Sequence, residues 1–323
     1  MTEVLLRRSR LEASLPFVLF VMTGWSIGCV GEGLPETPRR LVAEGDSSDQ
    51  PDALQHSDEA SQSDTTGITS ERASEPLADS ADEVDARWGH VSGRFVYDGD
   101  PPVLEKLELT KDIEFCSQNH PVDQSLVVDA DSGGLANVVV WLDVRRAEEI
   151  PEMHELSAGI GDPIVINNKA CVFEPHVAFL RTGQKLRITN DDTVDHNTQA
   201  FLDRNTPFNV VIPHSDAVEK QFGRPERQPV KLSCSIHRWM DAWLIVKDHP
   251  YVAISGEDGH FRIENLPVGE WTFRVWHELP EFVEQVSRES ETLDLPDGKL
   301  TLTIESGDND LGELRLAAEL FAD

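Results

Sequence analysis

The chain has 323 residues, enough for two modest domains if most of it folds. Its 59 acidic residues outnumber 28 basic ones, and the formal charge of -31 argues against nucleic acid or an anionic membrane surface as partner.

In chain order, residues 1 to 29 begin with Arg7, Arg8 and Arg10, run through the apolar stretch Leu15 to Met22 and end in Ser26-Ile27-Gly28-Cys29. This resembles a secretory signal peptide and is too short for an ordinary membrane span. The Gly-Cys ending resembles a bacterial lipoprotein cleavage site, at which Cys29 would take lipid and become the new N-terminus. Ser26 stands where a leucine is usual, so plain cleavage and a retained anchor stay open. Each reading predicts an exported protein of the periplasm or cell envelope, and lipidation adds membrane attachment through Cys29. Residues 30 to 87 contain no Phe, Trp, Tyr, Lys or Cys and are dominated by Asp, Glu, Ser, Ala, Gln and Pro. Such a composition cannot bury enough apolar surface to offset its ordering entropy, which predicts a disordered, self-repelling acidic linker.

From Trp88 onward the pattern is β. Short runs rich in Val, Ile, Leu and Phe (HVSGRFVYDGDPP, SLVVDADSGGLANVVVWLDV, PIVINNKACVFEPHVAFL, QKLRITNDD, AWLIVKD, VAISGEDGHFRIENLPVGEWTFRVWHE, LTLTIE) alternate with Gly, Pro, Asn and Asp punctuation. Only Arg145 to Leu156 offers a short helix, weakened by Pro151. Antiparallel sandwiches are expected, cut near Asp248 into a piece 88–248 that holds every candidate ligand and a piece 249–323. The strands between Trp88 and Asp143 are assigned to the first piece as additions to it, with a small separate sheet as the alternative.

The chemistry lies in SCSIHRWMDAWLI, residues 233 to 245. Cys234, His237 and Met240 stand three residues apart just before the apolar run Trp243 to Val246. A thiolate, an imidazole and a thioether form a soft donor set that selects copper. Zinc gains little from the thioether and takes four Cys or His ligands in structural sites. A second histidine comes from GQKLRITNDDTVDHNTQ, where a strand runs into a polar loop and His196 is followed by Asn197.

These residues resemble the cupredoxin family in its small single-copper, plastocyanin- or amicyanin-like form. That family shows a strand ending in Asn-x-Asp, a His-Asn pair, and Cys-x-x-His-x-x-Met before the last strand. The resemblance covers about Pro163 to Asp248. It implies a cupredoxin-like Greek-key β-sandwich with one type 1 copper bound by His196, Cys234 and His237, and by Met240 axially. It further implies that Asn197 braces the two ligand loops and that His237 is the ligand nearest the surface, with Trp239 beside it in a docking patch or in the core. Ile236 and Arg238 stand where amicyanin-like loops often carry proline. Cys171 and His176 form a rival pair, read first as structural. If Cys29 takes lipid and Cys234 metal, Cys116 and Cys171 are left as two buried thiols or a disulfide.

The implied function is transfer of single electrons between partners at the cell envelope. The donor and acceptor proteins stay unknown. Copper oxidases and nitrite reductases of this family carry further His ligands, typically as His-x-His, and no His-x-His occurs here, so no enzyme is expected. The competing reading is a non-redox envelope module for copper holding or surface attachment. The segment GEDGHFRIENLPVGEWTFRVWHE resembles the carboxypeptidase-regulatory or transthyretin-like β-sandwich family, which is uninformative about activity. Trp271, Trp276 and His277 are read there as core or ligand-contacting residues.

Overall fold

The computed structural model describes residues 86–289 and 291–322. The predicted signal segment, the lipidation site at Cys29 and the linker up to residue 85 lie outside the described residues.

Strands form where apolar residues alternate. In β1 (Trp88–Asp98), Val91 and Phe95 point inward while Ser92 and Arg94 lie on the other face. A long connection, 99–138, holds a one-turn helix α1 (Ile113–Cys116) and leads to β2 (Val139–Leu142), which is buried throughout. The predicted short helix at 145–156 is instead split around Pro151 into a 3-10 turn, Ala147–Glu149, and a one-turn helix α2 (Glu155–Ala158). The proline ring removes an N–H and crowds the preceding turn, which stops a continuous helix. There follow β3 (Ile164–Lys169), β4 (Val172–Glu174), β5 (Val177–Arg181), β6 (Lys185–Asn190), β7 (His196–Ala200), β8 (Phe208–Ile212), β9 (Ala217–Gln221), β10 (Val230–Ser233) and β11 (Asp241–Lys247). The remaining strands are β12 (Val252–Ile254), β13 (His260–Pro267), β14 (Gly269–His277), β15 (Glu281–Phe282), β16 (Gln285–Arg288), β17 (Glu291–Asp294), β18 (Lys299–Ile304) and β19 (Gly307–Ala317).

The expected fold class, all-β with packed sandwiches, is what the structure shows. The first sandwich faces a sheet of order β4-β3-β6-β9 against one of order β5-β11-β10-β7-β8. Ile166, Phe173, Leu186 and Ile188 from one sheet meet Ala178, Leu180, Leu232 and Leu244 from the other. The second sandwich faces β13-β1-β19-β16-β17 against β12-β2-β14-β15, with β18 alongside β14, over Phe95, Leu135, Tyr251, Phe273 and Leu316.

The strands β1 and β2, expected to extend the first piece, pair with strands of the second. β1 runs antiparallel to β13 and parallel to β19, and β2 runs antiparallel to β12 and β14. The first sandwich is therefore inserted between β2 and β12 of the second. Alternation marks a residue as facing a core without saying which core, and Phe95 finds its partner in Phe261, stacked at 4.8 Å. The close approach of these strands requires glycine at position 259: it has φ +81, and a Cβ there would lie 2.1 Å from the Phe95 carbonyl oxygen. A small apolar seam of Val139, Trp141 and Trp276 against Val177 and Ile245 joins the two sandwiches.

The 99–138 connection matters most for the site. Leaving the second sandwich, it reaches the end of the first, where Cys116 is disulfide-bonded to Cys171 with their Cα atoms 5.6 Å apart. The open pairing question among the cysteines is thereby answered. Closing a span of 55 residues in the unfolded chain is worth about 4 kcal/mol on loop entropy. Replacing both cysteines by serine is expected to lower the free energy of unfolding by about 3 to 4 kcal/mol, read from denaturant midpoints against the oxidised parent. A change below about 0.5 kcal/mol would show that the bond constrains little.

Candidate metal centre

Two loops at one end of the first sandwich build the site. β7 and β10 pair antiparallel, Ser233 opposite Gln199 and Leu232 opposite Ala200. This register carries Cys234, the residue after β10, beside His196 and Asn197 at the start of β7. The loop 234–240 is closed on itself: the Cys234 N–H donates to the Met240 carbonyl at 3.1 Å and the Met240 N–H to the His237 carbonyl at 2.9 Å. His196, Cys234 and His237 thereby present one donor atom each, all within 4.8 Å of one another and all buried. The structure thus brings together three of the four residues singled out in the sequence, and Met240 lies buried in the same loop.

Each histidine is held from behind by a carboxylate. The His196 Nε2–H donates to Asp192 Oδ2 at 2.9 Å, and His196 Nδ1 is buried without a hydrogen-bond partner. The His237 Nε2–H donates to Asp112 Oδ2 at 3.0 Å, which turns Nδ1 toward Cys234 Sγ, 3.9 Å away. An imidazole whose outer nitrogen gives its proton to a carboxylate keeps the inner nitrogen free as a lone-pair donor. The unpartnered His196 Nδ1 fits a metal, and it is otherwise a costly buried polar atom. Asp192 has a second task, accepting from the backbone N–H groups of Ala170 at 2.7 Å and Cys171 at 2.8 Å. Both those residues have positive φ, so the carboxylate also pins the turn that carries the disulfide.

Cys234 is 2 % exposed. Burial by itself pushes the Cys234 thiol up, but the His196 and His237 rings and the backbone N–H groups of Asn197 and His237 outweigh it and bring it down to about 6. Those N–H groups lie 3.5 and 3.4 Å from Sγ. For His196, desolvation favours the neutral ring, and the Asp192 carboxylate and Cys234 sulfur outweigh it and raise its pKa. Asn197 joins the two loops as the resemblance implied: its Oδ1 accepts from the Ser235 N–H at 2.8 Å, the Ser235 hydroxyl at 3.0 Å and the Ile236 N–H at 3.2 Å.

Other expectations are corrected or resolved here. His237, expected nearest the surface, is 0 % exposed, because Asp112 and the disulfide-anchored connection cover its outer nitrogen. Trp239 is half-buried, edge-on to the His237 ring at 5.1 Å, and its indole N–H donates to the Cys171 carbonyl at 3.0 Å. Cys171 also lies near Asp192 and His196, yet its sulfur is spent in the disulfide and gives no thiolate. His176 is paired with Glu278, which also accepts from the Trp243 indole at 2.8 Å, and joins no metal-ligating group among the described residues. Trp276 and His277 are buried, and the Trp271 indole donates to the Pro267 carbonyl, so these act in the core.

Asp112 and Asp192 were missed in the sequence. Asp192 carries a readable signal, an acid four residues before a candidate ligand histidine and inside the same loop. Asp112 carries none, being 125 residues from His237.

In the metal-free protein the Cys234 thiolate absorbance in the ultraviolet is expected to rise with a midpoint near pH 6. The Cys234→Ser variant should lack the transition. A midpoint near the ordinary thiol value of 9.0 would mean that the two rings and two N–H groups do not stabilise the anion.

No family model and no curated protein matches the chain. Among solved structures, the chain is similar to a Cu-containing nitrite reductase from Thermus scotoductus, at 19% identity over 30% of this chain and 27% of that one, with a TM-score of 0.25. It is similar to a purple cupredoxin from Nitrosopumilus maritimus, at 27% identity over 27% of this chain and 99% of that one, TM-score 0.22. It is also similar to an amicyanin mutant, at 17% identity over 28% of this chain and 88% of that one, TM-score 0.24.

Proposed function

We propose that the protein binds one copper ion through His196, Cys234, His237 and Met240 as a type 1 centre and carries single electrons at the cell envelope. The observation that carries this reading is the buried trio of donor atoms in which the thiol is already biased to its anion and His196 Nδ1 has no protein partner. Hard ions prefer carboxylates and waters, and the two nearby carboxylates, Asp112 and Asp192, are turned to the outer nitrogens of the histidines. A bound copper would supply a change of oxidation state by one electron.

The chain's own residues do the rest. Asp192 and Asp112 hold the two rings with their inner nitrogens free, so little ligand movement accompanies loading. The two N–H groups at the sulfur withdraw electron density from it, and such bonds are one lever on a reduction potential. The apolar packing of Ile236 and Trp239 against the core keeps water from the sulfur. No catalytic group is assigned, and the protein is read as a carrier rather than an enzyme. Export, attachment through a lipid on Cys29 and a redox protein partner of unknown identity belong to the same proposal. The second sandwich, similar in its Gly-x-Phe and Leu-Pro-x-Gly pattern to carboxypeptidase-regulatory domains, would serve as the rigid support of the copper-binding one.

One observation favours the second reading, copper holding without electron exchange: the His237 edge is covered. A single preparation separates the two. The full chain loaded with Cu(II) is expected to show an intense visible thiolate-to-copper band, absent in Cys234→Ser, and to be bleached and restored reversibly by one-electron reagents. A band that does not cycle favours copper holding. Absence of the band in the parent overturns the type 1 reading.

A further inference from the structure

We infer that Asp112, carried in from the far side of the chain by the 99–138 connection, is the positioning residue that sets the proton arrangement of His237. The inference rests on the reading of the site as a metal centre only for its consequence, since the hydrogen bond exists in the protein alone.

Four observations converge on Asp112. It occupies the position just before helix α1 but does not cap it: its side chain makes no bond to the helix, and only its carbonyl is used, by the N–H groups of Phe115 and Cys116. A capping aspartate has extended backbone and bonds forward to the second or third helical N–H. Asp112 instead has φ 45 and ψ 38, a left-handed conformation uncommon for a residue with a side chain. That conformation sends the carboxylate the other way, to His237 Nε2 at 3.0 Å.

The connection is also anchored on both sides of this contact. Cys116, four residues on, is tied to Cys171, and the Cys171 carbonyl accepts from the indole of Trp239, two residues beyond His237. The histidine loop and the aspartate are thus referred to one rigid point. Finally, the arrangement duplicates the one at His196, where Asp192 also accepts from Nε2 and the inner Nδ1 is free. Two rings from different loops, each with a carboxylate behind it, present the same nitrogen inward.

With the carboxylate as acceptor, a neutral His237 carries its proton on Nε2. Without it, the buried ring has no described partner for that nitrogen, and the other tautomer, with a proton on Nδ1 facing Cys234, becomes competitive. That tautomer cannot donate a lone pair inward.

The test uses the metal-free full chain, labelled with nitrogen-15, and long-range correlation of the histidine ring nitrogens at a pH where the ring is neutral. The expected result is the Nε2–H form of His237 in the parent and in Asp112→Asn, whose amide oxygen can still accept, and a mixed or Nδ1–H form in Asp112→Ala. On the same samples, Cu(II) affinity is expected to fall by about 10- to 100-fold in Asp112→Ala and to be largely kept in Asp112→Asn. An Nδ1–H ring in the parent overturns the inference, and needs no variant to fold. So does an unchanged Nε2–H ring with unchanged affinity in Asp112→Ala. If the tautomer shifts as expected but the parent takes up no copper, the positioning role stands and the copper reading fails.

Discussion

Burying a sulfur that prefers to be an anion sets the terms for the whole end of the first sandwich. Cys234 is almost wholly out of water, and an unpaired charge there would be expensive. The fold answers with the backbone N–H groups of Asn197 and His237, both donating to the sulfur, and with the two imidazole rings packed beside it. Those donors need fixed positions, and each position has a visible cause. The N–H of Asn197 is placed by the pairing of β7 with β10, and that of His237 by the closed loop 234–240. The carboxamide of Asn197 then locks one loop to the other.

A consequence is that the acidic side chains nearest the site are turned away from its inner face. Asp192 and Asp112 are satisfied by ring N–H groups, and Asp192 by two backbone N–H groups as well. Desolvation works to raise the Asp192 carboxyl, and the His196 ring with those N–H groups outweighs it, holding the carboxyl below the usual range. The inner face is left to sulfur and imidazole. What the inner face offers is thus decided by where the carboxylates are aimed, not by their absence.

The second sandwich acts through a connection. Because β1 and β2 belong to it, the 40-residue connection between them starts and ends on it, and the stretch around Asp112 and Cys116 lies at the ligand end of the first sandwich. Long irregular connections are uncommon unless they have a task. This one is held by a disulfide and by Asp112, and it closes the histidine edge that the cupredoxin resemblance would leave open. The outer edge of His237 therefore lies beneath a covering layer of this same chain.

Local spacing was enough to mark Cys234, His237 and Met240, because three residues in one short turn cannot lie far apart whatever the rest of the chain does. The pair His196-Asn197 was legible from the strand and loop before it, and β strands were legible from alternation, which a half-buried surface imposes residue by residue. What only the tertiary structure decided involves partners distant in sequence: β1 with β19, Cys116 with Cys171, Asp112 with His237. Alternation shows that Val91 and Phe95 need a core without choosing between two apolar cores. The exposure of His237 failed as an expectation for the same reason, since a residue's own neighbours in sequence cannot reveal that a segment 125 positions away will lie over it. Within a loop, chain connectivity sets distance, whereas between loops it is set by the packing of the whole molecule.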